Sequence, residues 1–342
     1  MYTRRNIRWS VILTFAWAQL IIFTVWGLAV TTLYVVLKSS GVEASLPIAP
    51  LGTIGVAVAF YIGFKNNQSY DRNWEARKIW GGIVNVSRSW GNQVMSYLAL
   101  FHIREASSAS VDEAELQRVQ RELIYRHIAW INSLRYQLRR KTPFGFSPKG
   151  TSRKYMQATD MEALRQQLID ALPEGESATM CGFANTATQL LRRQGERLKE
   201  VYEDDQLIED FRHISMMDLI TEMYTLQGKC ERIKNTPFPR QYAYFSNVFT
   251  WIFVILLPFG IVGEFADKSE ALVWLTVPLS VVVSWIFFTM ESVGDSSEDP
   301  FENFINDVPM TALCRTIEID LRQMLGETDL PEPLKPIDDI LM

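Results

Sequence analysis

The chain has 342 residues, a hydrophobic content of 48% and a formal net charge of −5, so its length allows two ordinary domains or one large one. Its cysteines, Cys181, Cys230 and Cys314, lie far apart and form no CxxC pair, and its three histidines show no metal-binding spacing. These patterns exclude the usual zinc sites and disulfide frameworks. We predict no metal, no cofactor and no nucleic-acid partner.

Four stretches of the sequence contain no Asp, Glu, Lys or Arg. They are residues 9–37, 44–64, 241–263 and 271–290, with lengths of 29, 21, 23 and 20. A helix of about 20 residues crosses a bilayer core of roughly 30 Å. The first stretch far exceeds the apolar part of a signal peptide, which has roughly 7–15 residues. We therefore predict an all-α membrane protein with four transmembrane helices in two hairpins.

Basic residues flank the predicted spans on one side of the membrane. Three arginines precede the first span, Lys65 and further bases follow the second, and Arg240 precedes the third. The two short connections, 38–43 and 264–270, carry one lysine each. Basic residues stay on the cytoplasmic side. We expect a multi-pass protein of the cell inner membrane with both termini and the long central region in the cytosol.

This orientation divides the chain into four parts. Residues 1–64 form the first transmembrane hairpin, 65–240 a helical cytosolic region, 241–290 the second hairpin and 291–342 an acidic cytosolic helix and tail. The last part holds 13 acids and 3 bases, a net charge of 3 − 13 = −10.

The cytosolic region reads as helical. Residues 113–140 carry an amphipathic stripe, with Asp112 as a helix N-cap. We also predict helices over 160–175 and 216–233. Helical apolar spacing recurs here, and no alternating pattern is long enough to suggest a sheet.

The acidic end contains one predicted helix, residues 309–326, followed by three prolines between 331 and 336. Such a segment favours an extended backbone, and composition alone leaves open whether it is ordered or disordered.

Catalytic motifs are missing from the sequence. There is no P-loop, no G-x-G-x-x-G and no G-x-S-x-G. The spans also contain no ionisable acid or base of the kind that proton-driven pumps place in the bilayer. We therefore predict that the protein is not an enzyme and not a proton-driven transporter.

The second span carries large apolar residues at intervals of four. Val56, Phe60 and Phe64 share one helical face, because positions four apart drift only about 40° around the axis. From spacing alone, this face contacts either lipid or a neighbouring helix.

The residues after this face resemble a known family. GFKNNQSYDRNWEARKIWG (63–81) is similar to the signature of bacterial bestrophins, membrane proteins with the same two-hairpin layout. CERIKNTPFP (230–239) and DVPMTALCRTIEIDLRQML (307–325) match further motifs of that family in the same order. The resemblance therefore covers nearly the whole chain.

The resemblance implies a homopentameric barrel around a central pore. Val56, Phe60 and Phe64 match the positions of a hydrophobic pore neck, and Ile214 matches a second constriction at the cytosolic exit. Asn66 and Asn67 then offer amide dipoles to an ion below the neck, or they bond within the protein. Ile214 has its own alternative as a core residue of its helix.

Animal members of the family hold Ca²⁺ with a dense acidic run after the fourth span. Here the corresponding EDPFENFINDVP (298–309) is interrupted by Phe304 and Ile305. Calcium prefers six to eight oxygen ligands. We therefore do not transfer the calcium site, and we expect this run to be a solvated linker.

These observations predict a pentameric channel that passes monovalent ions, with chloride as the usual ion of the family. The apolar neck carries no fixed charge, so a cation-selective channel of the same fold remains open, as the acidic tail favours cations if it lines the pathway. A membrane-anchored scaffold and a secondary transporter are the alternatives from other classes.

Overall fold

The computed structural model describes residues 1–100, 112–141, 176 and 183–342. The described residues form α1 (Trp9–Ser39), α2 (Ile48–Tyr97), α3 (Glu113–Arg139), α4 (Thr186–Glu203), α5 (Asp210–Asn235), α6 (Arg240–Ala266), a 3-10 helix (Glu270–Leu275), α7 (Thr276–Ser297) and α8 (Met310–Met324). Within these residues, β-structure is limited to two isolated bridges. The predicted all-α class is confirmed, while the predicted helix over 160–175 and Cys181 lie outside the described residues.

Four helical segments of the described chain are long and apolar enough to cross a membrane. They coincide with the four predicted spans and form two hairpins. α1 packs against α7, and α2 packs against both α6 and α7. The fourth span differs at its start, where the 3-10 helix precedes α7. Pro278 explains this difference, because a proline ring clashes with the carbonyl four residues earlier in a continuous α-helix.

Helix α2 is the longest element described. It runs unbroken for 50 residues, which corresponds to about 75 Å at 1.5 Å per residue. The sequence holds no proline between Pro50 and Pro143, so nothing interrupts its hydrogen bonds. The helix therefore extends far beyond the thickness of a bilayer and joins the membrane part of the protein to the part outside the membrane.

Two separate hydrophobic cores share α2. In the membrane part, Val58 and Ile62 pack with residues of α6 such as Phe253. In the part outside the membrane, Trp80 and Trp90 are fully buried among residues of α3, α4, α5 and α8. The predicted amphipathic stripe of α3 is buried in this second core, and it comprises Leu116, Val119, Leu123, Ile124, Ile128 and Ile131. Asp112 caps α3 by accepting a hydrogen bond from the backbone of Glu115 at 2.9 Å.

The C-terminal tail, whose order the composition left open, follows a defined path. Ile340 forms an antiparallel bridge with Tyr2. Asp339 forms ion pairs with Arg4 at 3.0 Å and with Arg8 at 2.7 Å. The two ends of the described chain therefore lie against each other beside the start of α1.

The acidic linker between α7 and α8 is not solvated, so that expectation is wrong. Phe301 and Val308 are buried in the core outside the membrane. The carboxylates of Glu302 and Asp307 are buried as well. The physical reason is that bases from other elements meet these acids, as Lys234 of α5 does with Glu302.

Candidate functional site

The membrane half of α2 leaves one apolar stripe uncovered. Val56, Phe60 and Phe64 are 58%, 65% and 65% exposed in the single subunit. The rings of Phe60 and Phe64 follow each other along the helix with centroids 6.5 Å apart. Gly63 precedes Phe64 in the chain, and a Cβ atom at this glycine would meet no atom of another element within 4 Å. We call Val56, Phe60 and Phe64 the neck stripe.

Close packing on the opposite side sets which face of α2 stays uncovered. Gly55 lies against the ring of Phe253, and a Cβ atom at this glycine would come within 2.8 Å of that ring. Gly260 of α6 similarly lies against the side chain of Leu51, with a corresponding distance of 2.5 Å. Small residues allow such close helix contacts in membranes. These contacts hold Leu51 and Gly55 toward α6 and leave the neck stripe on the other side.

A buried ion cluster fixes α2 immediately below the neck stripe. Lys65 is fully buried, and its Nζ lies 2.5 Å from Glu291 Oε1 and 2.5 Å from Asp295 Oδ1 of α7. Ser246 of α6 donates a hydrogen bond to the other carboxylate oxygen of Glu291. We call Lys65, Glu291 and Asp295 the ion cluster. It links three transmembrane helices at one level of the protein.

The two asparagines after Lys65 have different surroundings. Asn66 is partly buried, donates its amide hydrogen bond to the carbonyl of Met290 at 2.9 Å and contacts the backbone of α7 at Gly294. This contact is the intraprotein alternative that the sequence left open for Asn66. Asn67 is exposed, and it lies on the same side of the helix as Phe64, because residues three apart are neighbours on an α-helix.

The second half of α2, outside the membrane, runs antiparallel to α5. Near the membrane, Arg72 donates a hydrogen bond to the carbonyl of Thr236 at 2.7 Å. At the far end, Gln93 donates to Ser215 Oγ at 3.3 Å. Phe64 and Gln93 are 29 positions apart on one helix, a separation of roughly 44 Å. The beginning of α5, which carries Ile214, therefore lies far from the neck stripe, outside the membrane-spanning part of α2.

Ile214 is an uncovered residue at this far end. It is 56% exposed, and Phe211, one turn earlier, is 87% exposed. Ile214 is therefore not a core residue of the subunit, and that alternative is wrong. Its neighbour His213 stacks on Tyr202 with ring centroids 4.8 Å apart, and partial burial lowers the pKa of this imidazole.

Carboxylates of the acidic linker have separate basic partners. Glu302 pairs with Lys234, Glu298 lies 3.5 Å from Arg240, and Asp299 lies 3.7 Å from Arg72. Among the described residues, no group of three or more His, Cys, Asp or Glu side chains has a metal-binding arrangement.

Asp307 at the end of this linker is fully buried. Its Oδ2 accepts a hydrogen bond from the backbone N–H of Phe304 at 2.9 Å. Burial raises the pKa of the Asp307 carboxyl to about 7, against the opposing effect of that hydrogen bond and of nearby Arg139. This carboxylate therefore stabilises the turn of the linker.

The ion cluster is the feature that the sequence reasoning missed, since Lys65 was interpreted as a solvent-facing base. A signal was nevertheless present. Lys65 directly follows the second charge-free span, and Glu291 directly follows the fourth, with Asp295 one turn later. Opposite charges at the same ends of two adjacent spans face each other at one depth in the membrane.

Comparison with known proteins gives consistent results. Residues 4–323 match the sequence profile of the family described as Bacterial/Fungal Bestrophin protein. The chain is similar to the voltage-dependent anion channel-forming protein YneE of Escherichia coli, with 31% identity over 84% of this chain and 80% of that protein. A protein of Mesorhizobium japonicum with the same description is 30% identical over 82% of this chain and 76% of its own length.

The fold is also similar to solved structures. The crystal structure of a bacterial bestrophin homolog from Klebsiella pneumoniae superposes with a TM-score of 0.71. That alignment covers 91% of this chain and 98% of the other, with 25% identity.

Proposed function

Because the chain belongs to the bacterial and fungal bestrophin family, we propose that it is a channel for monovalent anions, with chloride as the main ion. Two of its relatives are named as voltage-dependent anion channel-forming proteins, which supports an anion pathway. The observation that carries this proposal is the neck stripe, an uncovered row of large apolar side chains opposite the packed face of α2.

The pathway lies on the symmetry axis of a homopentamer. A single subunit offers one copy of the neck stripe, and one helix does not enclose a pore. Five copies of α2 around an axis place Val56, Phe60 and Phe64 in three stacked rings that span about 12 Å. The assembly has a mass of about five times the 39.3 kDa of one chain.

The neck stripe limits permeation by excluding water. An apolar constriction offers no hydrogen-bond partner to replace the hydration of an ion, so a narrow ring is a barrier that dewetting strengthens. Asn67, exposed below Phe64, provides the first polar side chain that an ion meets after the rings. Asn66 instead uses its amide to attach α2 to α7.

Ile214 forms a second constriction at the cytosolic exit. Its side chain is exposed near the start of α5, the end of that helix farthest from the membrane. Helix α5 packs along α2, which carries the neck stripe. Five copies of α2 and α5 then enclose a cytosolic vestibule between the two constrictions, and Ile214 narrows its end. The protein lies in the cell inner membrane with both termini in the cytosol.

The acidic C-terminal part does not favour cations through this pathway. The acidic residues of this part attract cations into the pathway only if their unpaired carboxylates line the vestibule. In the structure, Asp320 of α8 lies 2.8 Å from Arg88, and Glu327 pairs with Arg322 at 2.6 Å. Paired carboxylates contribute little net potential, so we give the anion channel precedence over a cation channel.

One measurement tests both conduction and selectivity. The purified protein is reconstituted into a planar bilayer with a KCl gradient, and the reversal potential is recorded. We expect currents that reverse near the equilibrium potential of chloride. Reversal near that of potassium contradicts anion selectivity while supporting the channel. Absence of current from reconstituted pentamers contradicts the channel and favours a scaffold protein.

A further inference from the structure

A cavity of about 340 Å³ lies between α1, α7 and the linker, away from the neck stripe. Its walls are mainly apolar and include Phe15 and Ala16 of α1 and Phe288 of α7. It lies near the start of α1 and the end of α7, which is the cytosolic side of the membrane in the orientation given above. Its volume falls at the lower end of the range of about 300–1,000 Å³ that is usual for small-molecule sites.

The cavity has one charged wall. Among its described lining residues, Asp295 carries the only charged side chain. Asp295 is 28% exposed, whereas its partner Lys65 is 0% exposed and Glu291, the other carboxylate of the ion cluster, is 2% exposed. The ion cluster thus contains two carboxylates and one lysine, and Asp295 is its only member among the described residues that line the cavity.

The remaining polar groups of the cavity suit a ligand with hydrogen-bond donors. Gln19 and Ser292 line its walls. The Oε1 atom of Gln19 is buried and has no hydrogen-bond partner. A buried acceptor without a partner costs free energy, so a donor that reaches this oxygen lowers that cost. The carboxylate of Asp295 is a second acceptor on the cavity wall.

We propose that this cavity binds a single-chain amphiphile with a primary ammonium head group. The apolar walls hold the alkyl chain, and the ammonium group donates hydrogen bonds to Asp295. A charge-assisted hydrogen bond of this kind is stronger than a neutral one. The site is distinct from the proposed ion pathway, because none of the described lining residues of the cavity belongs to α2, the helix that carries the neck stripe.

The test compares ligands of equal chain length and different head groups. Thermal unfolding of the purified protein in a nonionic detergent is followed at increasing concentrations of octylamine hydrochloride, 1-octanol or sodium octanoate. We expect a saturable rise of the unfolding temperature, with an apparent affinity for octylamine roughly tenfold above that for octanol and no saturable rise with octanoate. Equal effects of octylamine and octanol overturn the proposal.

Two variants locate the binding site. Asp295→Asn is expected to bring the ratio of the octylamine and octanol affinities to about one. Because both ligands are compared within one variant, a change in its basal stability does not affect this ratio. Ser292→Phe fills the cavity without removing a member of the ion cluster, and we expect it to abolish saturable binding of both ligands.

Binding in the pore is distinguished by a third variant. Phe64→Ala changes the neck stripe and leaves the cavity intact, so it is expected to retain the preference for octylamine. Loss of that preference in Phe64→Ala assigns the amine to the ion pathway and overturns the cavity site. The cavity site is also overturned if Asp295→Asn keeps the preference for octylamine, or if Ser292→Phe keeps saturable binding of either ligand. None of these readings depends on ion flux, so a failure here is separate from a failure of the proposed channel.

Discussion

The neck stripe and Ile214 are similarly exposed in one subunit, but exposure has a different meaning in the two regions. Phe60 and Phe64 lie in a membrane span, where uncovered apolar residues such as Leu13 and Ile252 are common. Lipid is as apolar as leucine, so exposure there costs little. Ile214 lies outside the spans, where an uncovered isoleucine and an uncovered Phe211 are costly in water.

Exposure therefore supports the two proposed constrictions, the neck stripe and Ile214, to different degrees. For the neck, exposure alone does not separate a pore from a lipid contact, and the supporting facts are the packed opposite face and the ion cluster below Phe64. For Ile214, exposure is itself informative, because an uncovered apolar side chain outside the membrane indicates an interface or a function.

The largest effect, a loss of stability, is expected at the ion cluster. This cluster holds α2 in place below the neck stripe, and no similar cluster is described beside Ile214. Lys65→Met leaves the buried carboxylate of Glu291 without its cation. Removing one partner of a buried ion pair costs about 3–5 kcal/mol, so we expect a strong loss of thermal stability in detergent.

Two comparisons test this anchor. Lys78→Met, on an exposed lysine of the same helix, is expected to change stability by less than about 0.5 kcal/mol. Adding Glu291→Gln and Asp295→Asn to Lys65→Met removes the uncompensated charge and is expected to recover most of the loss. Equal stability of Lys65→Met and Lys78→Met contradicts an anchoring role.

Truncation within the neck stripe is expected to raise conduction rather than lower stability. Phe64→Ala widens the apolar ring and admits water, and we expect roughly a tenfold rise in flux, equivalent to about 1.4 kcal/mol off the barrier. Phe60→Ala acts in the same direction, and Val56→Ala acts less because valine has a smaller side chain. Single-channel recording beside thermal unfolding checks this expectation.

The matched control is Phe245→Ala on α6, another phenylalanine of a span that is 44% exposed. It lies off the neck stripe, and its unitary current should equal that of the wild type. If Phe64→Ala leaves the current unchanged, this face of α2 does not line the pore.

A smaller effect is expected at the exit. Ile214→Ala widens a single ring, and we expect a rise in conductance of about threefold, equivalent to roughly 0.7 kcal/mol. Ile337→Ala, at an isoleucine of the tail that is 65% exposed, provides a control without an expected effect on current. Equal currents in the two variants argue against a constriction at Ile214.

No effect is expected from calcium at either constriction. Glu302 and Asp299 already face bases, and Asp307 accepts a backbone hydrogen bond. We predict equal currents in a chelator and in micromolar free Ca²⁺. A current that is lost in the chelator and restored by Ca²⁺ contradicts this prediction.

Much of the fold was predictable because the membrane imposes simple rules. Charge-free stretches of sufficient length predicted all four spans, and the helical spacing of residues such as Leu123 and Ile131 predicted the buried face of α3. The family assignment also confirms the prediction that the chain is a channel protein and not an enzyme.

The rest depended on contacts between distant parts of the chain. The burial of Lys65 depends on Glu291, which is 226 residues away, and the burial of the acidic linker depends on bases such as Lys234. Helical spacing within one segment does not reveal such distant pairs, although the positions of Lys65 and Glu291 at the ends of two spans were a signal for the first of them. The roles of the neck stripe, Asn67 and Ile214 stay predictions, because they depend on contacts with the neighbouring subunits.

The contact between the two ends of the described chain imposes an order on biosynthesis. Thr3 donates hydrogen bonds to the carbonyl of Asp339, which is 336 residues later. At a synthesis rate of about 5–20 residues per second, these partners are made roughly 20 s to a minute apart. During that interval all four spans leave the ribosome and can enter the membrane. The pairing of Tyr2 with Ile340 therefore forms only after both transmembrane hairpins have been translated.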